Sequence, residues 1–301
     1  MKKEVVVEGK KFRLSNLDKP MWPGNGITKA GLIKYYADMA DVLLPHLRDR
    51  LFIMSRFPDG IDGEMFYQKD RPDYAPDWLD IFPVDSPEAD KTVRYIVCND
   101  LPSLMWLANQ ACIELHIWLA KIPRINYPDI MVFDLDPFPP ADFSDTLEIA
   151  LLINEALQQF SLKGYPKTSG ATGLHIFVPV KPEYTYQEVR SAVEFISRQI
   201  HAIIPAKTTL ERLIVDRTGK VYLDYLQNTR GKTMTFQYSL RPIPGAPVST
   251  PLTWAEVREG KIKPADFRID NISERLGEVG DLYRDLLNPG QSLKNLMEIL
   301  D

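Results

Sequence analysis

At 301 residues, with 45% hydrophobic and 26% charged side chains, the chain has an ordinary globular balance that excludes disordered and fibrous classes. No apolar run approaches the roughly 18–20 residues of a membrane helix, MKKEVVVEGKKF lacks the apolar stretch of a signal peptide, and Cys98 and Cys112 cannot form a disulfide framework or a zinc site. These features predict a reducing, cytoplasmic protein with two buried thiols and no membrane partner; its net charge of −5 is uneven, with 11 Lys/Arg against 6 Asp/Glu over residues 1–56 and 25 against 35 over the remainder.

Residues 4–7 and 11–14 read as a hairpin around Glu8-Gly9-Lys10. A Pro/Gly-rich loop, NLDKPMWPGNGIT, follows. Thr28 is placed to cap a helix carrying Leu32, Tyr35, Tyr36, Met39 and Leu43 at helical spacing. Strands are predicted at 51–57 and 93–98, separated by a proline-rich loop over 70–90 around Trp78. The apolar run 101–120 reads as a long helix passing into a strand near His116. Strands follow at 129–137, 174–180 and 235–240, and helices at 145–160 and 187–203. RLIVD and KVYLDYLQN read as a hairpin around Arg217-Thr218-Gly219, and the tail from 251 as short helices. Strands and helices interleave without strict βαβ repetition, which predicts an α+β (mixed α/β) fold.

The sharpest chemical feature is MVFDLDP. Alternate side chains of a strand share a face, so Asp134 and Asp136 point the same way and Phe133 and Leu135 the other. Two carboxylates so close repel unless a hard divalent cation lies between them; without one, the pair is an exposed strand end. In VYLDYLQN, Asp224 is a lone acid in an apolar strand. With the first pair it completes the minimum set for a two-metal site, and alone it reads as a sheet-edge acid. KTSGATGLH has glycines at 170 and 173 that free backbone N–H groups to face an anion; Ser169 adds a hydroxyl, and His175 opens the next strand. Lys19 and Lys29 flank the Pro/Gly loop beside Asn16, and Lys207, Arg212, Arg217, Lys220, Arg230, Lys232 and Arg241 surround the third aspartate. Such clusters neutralise phosphates, although each charge alone reads as a solvated face. Phe66 and Tyr67 follow a turn, placed either to stack on bases or to pack in a core.

The order DLDP, SGATGLH, YLDYLQN resembles the three motifs of the archaeo-eukaryotic primase superfamily, and within it the polymerase domain of bacterial and archaeal DNA ligase D. SNLDKPMWP…TK, DGIDGEMFYQK, WLANQACIELHIW and YSLRPIPGAPVSTPLTW extend the resemblance over nearly the whole chain. It implies a primase-like core with an RRM-like sheet and flanking helices, in two lobes around a cleft. It implies one primase-polymerase domain over 1–301: an N-terminal lobe over 1–128 that docks DNA ends, a catalytic core over 129–245, and a tail over 246–301 packed on the core. The implied enzyme is a nucleotidyltransferase of non-homologous end joining. It adds nucleotides, preferably ribonucleotides, to a primer 3′-hydroxyl at DNA breaks or gaps, using two divalent cations, Mn²⁺ or Mg²⁺.

Carried over, Asp134, Asp136 and Asp224 are metal ligands and catalytic residues. Ser169, Gly170, Gly173, His175, Gln227, Arg241 and His116 line the nucleotide site. Asn16, Lys19 and Lys29 hold a downstream 5′-phosphate, and Phe66 and Arg56 contact DNA. Implied partners are DNA with a 5′-phosphorylated end or gap, nucleoside triphosphates, a Ku-type protein and a DNA ligase, at the nucleoid. Two departures remove positive charge near the phosphates: Ser55 and Thr172 stand where many members carry lysine. Two other readings fit parts of the pattern. A non-catalytic DNA-end scaffold needs only the lysines, and a manganese-dependent glycosyltransferase needs only the Asp-x-Asp.

Overall fold

Buried apolar strands organise the chain into two large sheets. The computed structural model describes residues 2–86 and 91–300. The N-terminal hairpin is β1 (Lys2–Val7) and β2 (Lys10–Ser15), followed by the short antiparallel pair β3 (Pro20–Trp22) and β4 (Ile27–Thr28). Thr28 Oγ1 accepts from Gly31 N at 3.5 Å and caps α1 (Lys29–Asp38), which breaks at Met39 into α2 (Ala40–Leu47).

The first large sheet uses β5 (Arg50–Arg56), β6 (Phe66–Gln68), β7 (Ile81–Ser86), β8 (Lys91–Val97) and β9 (Cys112–Lys121), with α3 (Leu101–Asn109) leading into β9. The second uses β10 (Ile130–Pro137), β11 (Tyr165–Thr168), β12 (Leu174–Pro179), β13 (Thr208–Thr209) and β14 (Val221–Leu223), with α4 (Phe143–Gln159) after β10 and α5 (Tyr186–Ile203) after β12. β15 (Thr233–Thr235) returns to the first sheet beside β9. The tail carries α6 (Trp254–Glu259), α7 (Ile272–Val279) and α8 (Lys294–Leu300).

The second sheet runs β11-β12-β10-β14-β13. The path β10–α4–β11–β12–α5–β14 with that order is the β-α-β-β-α-β arrangement, in which both helices cover one face. α4 and α5 pack on β10 and leave the other face free for a site. Capping boxes Asp142/Asp145 and Thr185/Glu188 fix where the two helices start. The first sheet runs β15-β9-β5-β8-β7, with β6 also on β5. Arg50 at the head of β5 donates to both oxygens of Asp129, just before β10, at 2.6 and 2.8 Å. A pair this buried costs much of its Coulombic gain in desolvation, so its main effect is to fix how the sheets meet.

The α+β architecture matches the sequence expectation, as do the N-terminal hairpin, the strand ending at Pro137 and the two buried cysteines. Four local readings are corrected. The helix in 101–120 stops at Asn109, Ala111 takes φ +58°, and a strand begins at Cys112. β9 lies between β15 and β5 and is buried on both faces, so apart from Glu114, His116 and its last residue its side chains are apolar on either side and show little strand alternation. The 70–90 loop contains β7, an edge strand that tolerates Pro83 for that reason; 87–90 lie outside the described residues. The 212–228 hairpin does not form, because β14 already has β10 on one edge and β13, parallel, on the other. Residues 214–217 make a 3-10 turn instead. Finally, the strand at 235–240 is confined to 233–235, since Tyr238 takes φ +58°. No helix among the described residues is long and apolar enough to cross a membrane.

Candidate active site

A cleft of about 400 Å³ opens between the two sheets. Asp134 and Asp136 of β10, His175 of β12 and the 169–172 loop line one wall; Ser55 of β5, Tyr67 of β6 and Glu114 and His116 of β9 line the other. Register sets the first wall. Lys167 of β11 pairs with His175, and His175 pairs with Asp134, so a cation, an imidazole and a carboxylate lie in one row across three strands. All three are nearly fully buried.

His175 Nε2 lies 3.2 Å from Asp134 Oδ1 without hydrogen-bond alignment, and Asp134 Oδ1 has no hydrogen-bond partner among the described residues. Burial and then the Asp224 charge raise Asp134 to about 7; the Asp134 charge and then burial raise Asp136 to about 8. Burial pushes His175 well below its ordinary value, with Lys167 and Arg241 adding to the shift. Burial likewise depresses Lys167, whose Nζ donates to Ser249 Oγ.

Two like charges two residues apart, one with an orphaned buried oxygen, suit a hard divalent cation held by oxygen. The third aspartate is arranged differently. Asp224 N donates to Asp134 O at 3.0 Å, which seats it beside the pair. Its Oδ1, however, accepts from Leu226 N at 3.0 Å and Tyr222 OH at 3.2 Å. Among the described residues no three His, Cys, Asp or Glu side chains converge into a preformed metal cage.

The glycine loop packs as its sequence demands. A Cβ on Gly170, at φ +79°, would meet Arg241 Cγ at 2.7 Å, and one on Gly173 would meet Leu135 O at 2.3 Å. The expectation that the loop turns its N–H groups to an anion is corrected in part. Ala171 N and Gly173 N donate inward to Ser169 Oγ, at 3.1 and 3.0 Å, because that hydroxyl is the nearest acceptor. The hydroxyl proton of Ser169 remains for a ligand.

A family model described as "LigD, primase-polymerase domain" matches residues 28–283. The chain belongs to this family. It is 37% identical over 280 residues to the bifunctional non-homologous end joining protein LigD of Bacillus subtilis, covering 91% of this chain and 44% of that protein. It is 32% identical over 278 residues to the multifunctional LigD of Mycolicibacterium smegmatis, covering 92% and 36%. The chain thus spans less than half the length of the curated relatives it matches. Among solved structures, it resembles the polymerase domain of Mycobacterium tuberculosis ligase D in complex with DNA, with a TM-score of 0.86 and 29% identity over 92% of this chain and 98% of that one.

In this LigD primase-polymerase domain the cleft gathers Asp134, Asp136, Ser169, His175, Gln227, Arg241 and His116, with Gly170 and Gly173 forming its loop. Gln227 Oε1 is buried without a hydrogen bond among the described residues. Phe66 and Arg56 lie instead in an adjoining groove of about 860 Å³ that shares Tyr67 with the cleft. Phe66 and Tyr67 are 46% and 47% exposed, so they are not a core pair. Asn16, Lys19 and Lys29 form a third locality. Asn16 is exposed at φ +52°, and Lys29, 5% exposed, is lowered to about 8 by burial, then by Lys19 and Arg56.

Sequence reasoning missed Glu114. It accepts from Ser55 Oγ at 2.9 Å, approaches His116 Nε2 at 3.3 Å and pairs with Arg241 Nε at 3.1 Å. Burial alone would raise this carboxyl, but the His116 hydrogen bond and the Arg241 charge outweigh it and hold the group low. Arg241 Nη1 also donates to Thr235 Oγ1 at 2.6 Å, so the guanidinium is held from two sides.

Proposed function

We propose that this chain is a primase-like polymerase of non-homologous end joining. It adds nucleotides, preferably ribonucleotides, to a primer 3′-hydroxyl at DNA breaks or gaps, next to a bound downstream 5′-phosphate. The observation that carries this reading is the opposition inside one cleft of an acidic pair, Asp134 and Asp136, to a fixed cation, Arg241, beside Ser169 and His175. A nucleoside triphosphate needs both: negative charge to hold cations at its α-phosphate, and positive charge and donors along its tail.

Asp134 and Asp136, with Asp224 behind them, are the residues that would hold two divalent cations, Mn²⁺ or Mg²⁺. When bound, such ions supply charge stabilisation for an attacking oxygen and a leaving pyrophosphate. The chain's own residues do the positioning. Arg241, held by Glu114 and Thr235, presents its guanidinium to the triphosphate; Ser169 offers its hydroxyl as a hydrogen-bond donor; neutral His175 lies 3.2 Å from Asp134. Phe66 and Arg56 in the adjoining groove stack on and neutralise the DNA strand leaving the cleft. Asn16, Lys19 and Lys29 take the 5′-phosphate.

In this reading residues 1–128 form a DNA-docking lobe, 129–245 the catalytic core and 246–301 a tail, although Ser55, Glu114 and His116 of the first part also line the cleft. A Ku-type protein and a DNA ligase are the partners such a reaction calls for. Primer extension on a gapped duplex with a 5′-phosphate, with ATP or dATP and manganese, tests the proposal beside Asp134→Ala. Extension by the wild type that vanishes in the variant supports it. Binding of the phosphorylated end without extension would make the chain an end-binding scaffold, and turnover of a nucleotide sugar alone would make it a glycosyltransferase.

A further inference from the structure

Outside the cleft, Lys19 and Lys29 come together where β3 and β4 meet. Lys29 N donates to Lys19 O at 2.8 Å, so the two lysines leave the same short ladder side by side. Lys29 Nζ meets Ser15 Oγ at 3.3 Å. Arg56, close enough to depress Lys29, donates to Gln110 O and Gln68 Oε1. Among the described residues neither Lys29 nor Arg56 has an acidic partner, but Lys19 has one: its Nζ lies 2.5 Å from Asp59 Oδ1.

Asp59 is held there by its backbone. Its turn closes through Gly60 N donating to Phe57 O at 3.0 Å, and is clamped to β3 by Ile61 N donating to Met21 O at 2.9 Å. Gly60 takes φ +79°, and a Cβ there would lie 2.7 Å from Pro20 O. Only glycine lets the turn come so close, and that approach sets Asp59 against the residue beside Pro20, which is Lys19.

We propose that Asp59 is a resident competitor in the 5′-phosphate pocket: its carboxylate occupies Lys19 where the terminal phosphate of a DNA end would sit, and is displaced when the end docks. The inference rests on the reading of Lys19 and Lys29 as that pocket. A terminal phosphate carries nearly two negative charges and three acceptor oxygens, so it outcompetes one carboxylate. The competition still lowers its affinity and speeds its release. Release matters, because the reaction that must follow gap filling, phosphodiester formation at the remaining nick, consumes that same 5′-phosphate.

Fluorescence anisotropy on two gapped duplexes, identical except for a 5′-phosphate or a 5′-hydroxyl on the downstream strand, tests this with wild type, Asp59→Asn, Lys19→Met and the double variant. Asp59→Asn is expected to tighten the phosphorylated duplex about fivefold, the worth of a good exposed ion pair. It should slow dissociation by a similar factor and leave the hydroxyl duplex within about twofold. In the Lys19→Met background it should do nothing. Equal tightening of both duplexes, tightening that persists without Lys19, or no tightening would each overturn the proposal. A wild type that binds the two duplexes alike would overturn the 5′-phosphate reading beneath it, an outcome read without any Asp59 variant.

Discussion

The acidic wall of the cleft and the lysine cluster at β3 and β4 are electrostatic mirror images. In the first, Asp134 and Asp136 are driven toward their neutral forms, to about 7 and about 8, by burial and by a neighbouring carboxylate, Asp224 for the first and Asp134 for the second. In the second, Lys29 is lowered to about 8 by burial and neighbouring cations. Each site concentrates one sign of charge beyond what its surroundings relieve, and so favours a ligand of the opposite sign. They differ in construction. The acids sit on a regular strand whose alternation fixes their spacing, as an inner-sphere cation requires. The lysines stand at the ends of strands of three and two residues, the half-buried Lys19 just before β3 and the buried Lys29 at the start of α1, on stems longer than an aspartate's.

The harshest way to break the mirror is to delete one acid. Asp134→Ala should lower primer extension by about 10²–10³-fold in single-turnover assays, the cost of removing one member of a charge-stabilising set. Lys29→Met should leave extension on a primer without a downstream strand within about threefold, its loss being confined to weaker binding of the phosphorylated gap. Comparable losses of the chemical step from both variants would show that the two sites are not separate in function.

A smaller effect sharpens the account of the basic side of the cleft. Glu114→Gln keeps the shape of the side chain and removes the charge that holds Arg241. The nucleotide KM should rise about tenfold, the worth of one charge-assisted contact, with kcat changed far less. A fall in KM would instead mark Glu114 as a competitor of the triphosphate rather than an anchor for Arg241.

The mirror also makes a statement about stability and pH. The folded pKa values of Asp134 and Asp136 lie above the 3.8 of an unperturbed aspartate. Between about 4 and 8 the folded state therefore binds more protons than the unfolded one, and metal-free stability falls as pH rises through that window. Lys29 has the opposite sign. Its folded value lies below 10.5, so its penalty is relieved as pH rises from about 8 to 10.5. Thermal melts of chelator-treated protein should drop by about 2–4 °C more between pH 5 and 8 for the wild type than for Asp136→Asn. Lys29→Met should leave that slope unchanged. A wild-type slope no steeper than that of Asp136→Asn would show that the acids do not repel as described.

The parts of this arrangement legible in the sequence are those set by local rules. Strand alternation put Asp134 and Asp136 on one face, and glycine spacing marked the loop before His175. What escaped depends on pairing between distant segments. Glu114 lies in the apolar run 101–120, which reads as helix until β9 is seated between β5 and β15, where register sets it opposite Ser55. The available signal was Glu114-Leu115-His116, two polar residues on one face of a strand with apolar neighbours. Lys167 was hidden in the same way: nothing in YPKT shows that its cross-strand neighbour is His175. Asp59 pairs with a residue 40 positions away and had no local signal at all.

Ser55 is where the sequence reading and the structure lead to different expectations. From the resemblance, a serine in place of lysine removes a positive charge from the nucleotide site and should weaken it. In the structure Ser55 Oγ donates to Glu114, whose charge is already shared with Arg241 and His116. A lysine at 55 would extend into the cleft that Ser55 lines and meet Glu114 first. It would add a charge to the cleft and at the same time loosen the hold of Glu114 on Arg241. These effects oppose each other, so Ser55→Lys should change the nucleotide KM by about twofold or less, within the range of a partly screened ion pair. In the Glu114→Gln background the acid can no longer absorb the new charge, and the same substitution should lower KM several-fold. A large fall in KM from Ser55→Lys alone would mean that the cleft is short of positive charge and that Glu114 does not govern how that charge is shared.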